Sequence, residues 1–287
     1  MPELPEVEQA ARTLGAQISG ATFDGTVRVA WSRTIHDIPA DTFGARLAGA
    51  TVTGWQRRAK WIVLPLDTGL TLVAHLRMTG RFAVVPMDEA DDPQQRVAFG
   101  LTDGREVRFI DQRKFGRIRV LSAGELASLD ADHGPEPFDP ALTAASWYTT
   151  LQSTSRVIKT TLLDQSRIAG IGNIYADESL FRVAVHPLTP ANTLTKKKAT
   201  ELLAAIRDVL RQAIDNGGST LRDYRDSYGA KGTQQDNFQA YGRTGLPCTR
   251  CGTAIEKITV GQRGTHFCPY CQKPPRTKTR TAKQDGV

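Results

Sequence analysis

The sequence predicts an α+β chain of several domains: an antiparallel β domain with flanking helices, then a helical domain, then a small metal-binding hairpin. Three observations carry this. Between about Ala21 and Leu121 the chain runs in short apolar or alternating stretches broken by turn residues. From about Pro140 to Gly218 the apolar period lengthens to that of helices. All four cysteines, Cys248, Cys251, Cys268 and Cys271, fall close together near the C-terminus. A chain of 287 residues has room for two domains and an appendage, with ample core.

The first element is a helix. Pro5 suits a first helical turn, Glu6 and Glu8 complement the helix dipole, and Val7, Ala10, Ala11 and Leu14 recur at i, i+3, i+4 and i+7. The residues before it carry a chemical reading as well. Removal of Met1 would leave Pro2 as a terminal secondary amine with a reference pKa of about 8. Such an amine can attack an electrophilic carbon and form an iminium or Schiff base without a cofactor. Glu3 and Glu6 lie beside it in sequence, where one of them could supply or accept a proton. A plain amphipathic helix explains the local pattern too, and the readings are compatible because a packed helix would hold Pro2 in a fixed place.

Residues 51–56, 61–66, 70–76, 81–85, 97–101, 105–110 and 117–121 read as strands, with Asp67-Thr68-Gly69 and Asp103-Gly104 as hairpin turns. Many short strands imply an antiparallel sandwich or barrel. Residues 87–95, with Asp88, Glu89, Asp91, Asp92 and Pro93, read as an exposed loop, and 122–140 as a linker.

In the helical part, 194–214 places Leu202, Leu203, Ile206, Leu210 and Ile214 on one face and ends at Asn216-Gly217-Gly218. Earlier, Gly170-Ile171-Gly172-Asn173 separates two helical stretches, with Asn173 placed to cap 174–181. Free amides there could hold a phosphate, and a tight turn between helices would look the same. The Gly-rich, polar stretch 214–245 reads as a loop leading to the cysteines. There is no Rossmann fingerprint, Walker loop, His-Glu zinc helix or internal repeat.

Charge is unevenly placed. Nine Lys or Arg lie from Arg243 onward against Glu256 and Asp285, so this segment holds the whole net charge of +7. A basic module on a neutral body suggests a polyanion, most simply nucleic acid. The segment after Cys271 alone also fits a solubilising tail, polar and expected to be disordered. No apolar run approaches the roughly 18 residues of a membrane span and nothing resembles a secretory leader, so a cytoplasmic protein is expected.

The cysteines read C-x2-C, sixteen residues, C-x2-C, which can supply four thiolates to a tetrahedral zinc. Between them 256–260 alternates, Gly261-Gln262-Arg263-Gly264 reads as a turn and 265–267 as the returning strand, giving a zinc-ribbon hairpin. Arg263 at its tip could reach a phosphate or a sugar oxygen. Structural disulfides are disfavoured in a cytosolic chain.

Taken together, these segments resemble the bacterial formamidopyrimidine-DNA glycosylase family. The resemblance runs to about Gln272 and rests on Met1-Pro2-Glu3-Leu4-Pro5-Glu6-Val7-Glu8, Arg58-Ala59-Lys60, His75-Leu76-Arg77-Met78-Thr79-Gly80, Asp164-Gln165 with Gly170 to Glu178, and Tyr241-Gly242-Arg243. It implies an N-terminal β-sandwich with flanking helices (1–130), a helix-two-turn-helix domain (140–235), a zinc finger (240–272) and a basic tail (273–287). The implied activity is excision of oxidised purines from duplex DNA, followed by β and δ elimination. Pro2 would attack C1′, Glu3 would assist sugar opening, and Lys60 and Arg263 would bind flanking phosphates and support strand cleavage. Met78, Arg113 and Phe115 would fill the space left by the extruded base. His75, Lys159 and Asn173 would contact phosphates, and one structural zinc would sit on Cys248, Cys251, Cys268 and Cys271. The implied partner is damaged double-stranded DNA, bound by a monomer at the nucleoid.

Three departures stand out. Gln112 replaces the usual proline in Asp111-Gln112-Arg113-Lys114-Phe115-Gly116, a histidine usual near Gln94 is absent, and the tail runs past the usual end. Leu4 argues against the sister endonuclease eight-type enzymes, which favour oxidised pyrimidines. Pro2, Glu3 and Lys60 together argue against a silent zinc-ribbon DNA-binding protein.

Overall fold

The apolar stripe of the first helix decides what packs around it. In the computed structural model, which describes residues 2–275, α1 (Leu4–Ile18) buries Val7, Ala10, Ala11, Leu14 and Ile18 in a core shared with two β-sheets. Met1 and the tail from residue 276 onward, with its expected disorder, lie outside the described residues.

One sheet has the order β1 (Phe23–Val29), β6 (Gln95–Leu101), β7 (Arg105–Ile110), β5 (Arg81–Pro86), and the other β2 (Gln56–Arg58), β3 (Trp61–Pro65), β4 (Thr71–His75), β8 (Arg117–Leu121). Every pairing is antiparallel. Period-two alternation aims Phe23, Phe99, Val107 and Phe109 of one sheet at Ile62, Leu64, Leu72 and Ile118 of the other. Each such side chain contributes about 1.5–3 kcal/mol on burial. The two sheets keep separate edges, so the arrangement is a sandwich rather than a barrel.

The hairpin turns fall where expected, with Gly69 and Gly104 at φ 79° and 85°. Three expectations fail. Strand β1 escapes the sequence reading because Asp24, Gly25 and Thr26 dilute its pattern, and only pairing with β6 holds it extended. Of 51–56, Thr51 and Val52 make isolated bridges and regular pairing starts at Gln56. The expected linker 122–140 contains a helix, α3 (Ala123–Ala131), started by a Ser122/Glu125 capping box. Leu126 and Leu129 of α3 cover the outer face of the second sheet at Val63, Val73 and Leu121. A short helix, α2 (Ala40–Ala45), packs on β1.

The helical region holds α4 (Ala144–Gln152), α5 (Ile158–Leu163), α6 (Asn173–Arg182) and α7 (Lys196–Asp215). Its core gathers Trp147, Leu162, Ile171, Tyr175, Leu202, Leu203, Ile206 and Leu210, and it also takes Leu4. Helix α1 therefore belongs to both cores, Leu4 to the helical one and Val7 onward to the sandwich. The chain start is pinned at the junction. Beyond the polar stretch after α7 stands the hairpin β9 (Glu256–Val260) and β10 (Arg263–Phe267).

Candidate active site and metal centre

Glu3 is the N-cap of α1, where its backbone N–H donates to Glu6 Oε2 at 2.8 Å in a capping box. Its side chain serves a different helix. The Glu3 carboxylate accepts from Gly172 N (2.9 Å), Ile174 N (2.9 Å) and Tyr175 N (3.3 Å), the unpaired amides opening α6. The amides expected to be free for a phosphate are therefore occupied by this carboxylate. Gly172, not Asn173, is the cap residue, and a Cβ on it would overlap the Glu3 carboxyl group.

A cavity of about 690 Å³ opens in front of α1, walled by Pro2, Glu6, Met78, Arg113, Ser219 and Tyr224 among others. A smaller one of about 200 Å³ includes Glu3, Lys60, Met78, Gly172, Asn173 and Arg263 in its wall. Met78 borders both. The structure thus brings together all four residues read as catalytic, from three separate segments: Pro2 on the larger cavity and Glu3, Lys60 and Arg263 on the smaller.

Lys60 follows Ala59, whose φ of 52° turns β2 into β3. That turn is gripped by Glu136, which accepts from Ala59 N at 2.6 Å and from Arg57 and Arg58 at 2.7 and 3.0 Å. Lys60 is buried and donates to Ile171 O at 2.8 Å. Burial pushes its pKa down against the pull of Glu3 and Glu6. Arg263 is the first residue of β10, not part of the turn, which is the two-residue Gly261-Gln262 with φ 53° and 62°. It is exposed, and its guanidinium has no hydrogen bond or ion pair among the described residues.

The loop 111–116 wraps around buried Asp111, which accepts from Thr79 Oγ1, from Arg113 N (3.2 Å) and from Gly116 N (2.7 Å). These bonds hold the loop without the missing proline. Phe115 stands 48% exposed, with the Arg113 guanidinium 4.9 Å from its ring centre.

The three expected phosphate contacts need correction or detail. Lys159 is fully buried, its Nζ donating to Asp177 Oδ1 at 2.5 Å and to Asn173 O at 2.9 Å, so it does not face a phosphate. His75 accepts from Arg77 N at Nδ1, 3.0 Å away, and burial followed by nearby Arg77 and Lys60 pushes its pKa down to about 3. It is neutral and can offer only its other nitrogen. Asn173 donates to Gly264 O at 2.8 Å, and its own Oδ1 is buried without a hydrogen-bond partner among the described residues.

The four cysteine Sγ atoms lie within 4.8 Å of one another, with Cys248 to Cys271 at 4.0 Å and Cys251 to Cys268 at 3.5 Å. Tetrahedral Zn–S bonds of about 2.3 Å need sulfurs roughly 3.8 Å apart, so the set fits one zinc. Amides of Arg250 and Cys271 point at Cys248 and Cys268 Sγ, each at 3.4 Å. The ion would brace the hairpin; it is remote from Pro2 in role. The module docks on α6: Glu178 accepts from the amides of Gln239, Ala240 and Tyr241 at 2.7–2.9 Å, and Arg250 donates to Phe181 O and Arg182 O.

Comparison with known proteins decides the family. Relatives named formamidopyrimidine-DNA glycosylase match at 53% identity in Roseiflexus sp. (strain RS-1), over 95% of this chain and 100% of that one, and at 45% in Lactiplantibacillus plantarum, with the same coverage. The chain belongs to the formamidopyrimidine-DNA glycosylase family. Family models match in chain order: the formamidopyrimidine-DNA glycosylase N-terminal domain at residues 1–118, its H2TH domain at 133–225, and a zinc finger found in FPG and IleRS at 245–274. A Lactococcus lactis FPG variant bound to Fapy-dG-containing DNA superposes with a TM-score of 0.89 at 33% identity, covering 95% of this chain and all of that one. MutM with carbocyclic 8-oxo-G-containing DNA gives 0.88 at 33%, with the same coverage.

Sequence reasoning passed over Glu136, Asp177 and Glu178 as working residues. Each is an acid whose partners are amides or cations far along the chain, and an acid in a polar stretch or on a helix carries no local sign of that. Glu6, one of the two acids that could move a proton beside Pro2, is buried and accepts from Tyr175 Oη (2.5 Å), Ser219 N (2.7 Å) and Ser219 Oγ (2.9 Å). Burial, then the Glu3 charge, raises its pKa. It ties the stretch after α7 to α1.

Proposed function

We propose that this chain, once Met1 is removed, excises oxidised purines from duplex DNA through its Pro2 amine and then cleaves the strand. The observation that carries this reading is Glu3, clamped to α6 while Pro2 borders the larger cavity beside Met78 and Arg113. A carboxylate so fixed cannot drift from the amine next to it in sequence. The solved relatives hold DNA with Fapy-dG and 8-oxo-G analogues, and the wall of this cavity suits a flat, polar base.

The chemistry follows from these positions. The Pro2 nitrogen attacks C1′, the bond to the base breaks, and the base leaves with a proton. Glu3 takes the proton that the Pro2 nitrogen releases on attack and passes it to the ring oxygen, so that the C1′–O4′ bond breaks, the sugar opens and a cationic Schiff base forms at C1′. That cation acidifies C2′, and loss of its proton expels the 3′ phosphate, then the 5′ phosphate after a second proton loss. Lys60 and Arg263, both beside the smaller cavity, hold the phosphates that depart. Hydrolysis finally frees Pro2. The protein would work as a single chain with one zinc at the nucleoid, and among the described residues no helix is long and apolar enough to cross a membrane.

Borohydride should link Met1-processed protein covalently to a duplex with oxidised guanine. Undiminished trapping by Pro2→Thr protein, or by protein retaining Met1, would overturn the assignment.

A further inference from the structure

Helix α6 carries two acids in a row, and the role of the first reaches beyond its own helix. Asp177 is fully buried. Its Oδ1 accepts from Lys159 Nζ at 2.5 Å, and its Oδ2 accepts from the backbone N–H of His266 at 2.9 Å and lies 3.2 Å from His266 Nδ1. One carboxylate thus joins α5, α6 and β10. Two residues earlier on β10, Gly264 O accepts from Asn173 Nδ2 at 2.8 Å. Both ties lie on the strand that begins with Arg263, while the amides at the start of the same α6 hold Glu3. Helix α6 therefore fixes the distance between Glu3 and Arg263 across the smaller cavity.

The electrostatics make Asp177 the indispensable member of this joint. Among the described residues Lys159 has no other carboxylate partner, and its second acceptor is the Asn173 carbonyl. A buried ammonium and a buried amide N–H both point at Asp177, and only an ionised carboxylate offers an acceptor to each at full strength. The side chain of Arg263 is itself unheld, so its place depends on the backbone that carries it.

We propose that Asp177 is a positioning residue for DNA binding: through β10 it sets where Arg263 stands and so how firmly the phosphates beside the lesion are gripped. This rests on the reading of Arg263 as a phosphate ligand. Asp177 touches neither the cavity nor DNA in this account.

The test is a double-mutant cycle with zinc-loaded, Met1-processed protein, measuring affinity for a duplex containing a tetrahydrofuran abasic analogue across several salt concentrations. Asp177→Asn keeps the volume but has one acceptor oxygen; with that turned to Lys159, its NH₂ faces the His266 N–H and the β10 tie breaks. Asp177→Asn and Arg263→Gln should each weaken binding about tenfold and each lower the salt slope by about one phosphate contact. The double variant should bind no more weakly than Arg263→Gln alone. Multiplied losses, or unchanged binding by Asp177→Asn, would overturn the positioning role while leaving Arg263 as a ligand. Unchanged binding by Arg263→Gln would instead overturn the phosphate reading, and this proposal with it. Zinc content is measured throughout. If Asp177→Asn loses zinc, Asp177→Ser, whose hydroxyl can accept from one partner, enters the same cycle; loss of zinc from both variants would show a purely structural role and overturn the proposal.

Discussion

His75 shows what a single position gains from its surroundings. Burial and the neighbouring cations bring its pKa from the ordinary 6.5 to about 3, so the folded chain refuses a proton that the unfolded chain accepts below pH 6.5. The folded value is depressed, hence the associated stability is full above about pH 6.5 and is lost as pH falls toward 3. We expect the wild-type chain to lose about 1–2 kcal/mol more stability than His75→Gln between pH 7 and pH 5. Denaturant unfolding at the two pH values measures this, and equal losses would show that His75 is charged in the fold. At this scale the sequence was readable in placement: Pro2, Lys60 and Arg263 do reach the walls of the two cavities, and the four cysteines gather as their spacing predicts. It was unreadable where a residue acts through distant backbone. Glu136 grips Ala59 N from 77 positions away, and Lys159, expected at a phosphate, turns inward to Asp177.

Two elements place the chemistry, and both can be broken at one atom. Helix α6 opens at Gly172 because the absent Cβ is what lets the Glu3 carboxylate approach its amides. Gly172→Ala should abolish base excision, by at least a hundredfold in single-turnover rate, while zinc content and the far-UV spectrum stay as in wild type; an active alanine variant would remove Glu3 from the mechanism. The zinc hairpin carries Arg263, and its four sulfurs enclose space for one ion. Cys268→Ser should lose the zinc and with it duplex affinity, and retention of both would make the ion dispensable. Helices and hairpins with strong patterns were legible: α1 and α7 from their apolar stripes, β9 and β10 from the cysteine frame. Strand β1 and helix α3 were not. Each gains its order from a partner, β1 from β6 and α3 from the outer face of β3, β4 and β8, and such a partner leaves no local trace.

At the scale of the whole molecule, α1 joins two cores so that a loop from the sandwich and a helix from the second region face one cavity. The sandwich contributes Met78 and Arg113 to this cavity and Phe115 to a neighbouring opening that Met78 also borders, the helical region contributes the amides for Glu3, and DNA would lie between. This division predicts that extrusion and chemistry are separable. Unstacking a base costs a few kcal/mol, which inserted side chains help to offset, whereas an abasic site in a single strand has nothing to extrude. Phe115→Ala and Arg113→Ala should therefore slow single-turnover excision from an oxidised-guanine duplex by roughly ten- to a hundredfold, about 1.4–2.7 kcal/mol, and leave strand cleavage at a single-stranded abasic site within about twofold of wild type. The loop around Asp111 is held by its own hydrogen bonds, so losing the exposed ring of Phe115 leaves the loop backbone in place. Equal losses on both substrates would give these residues a part in the chemistry, and no loss on either would take them out of the site.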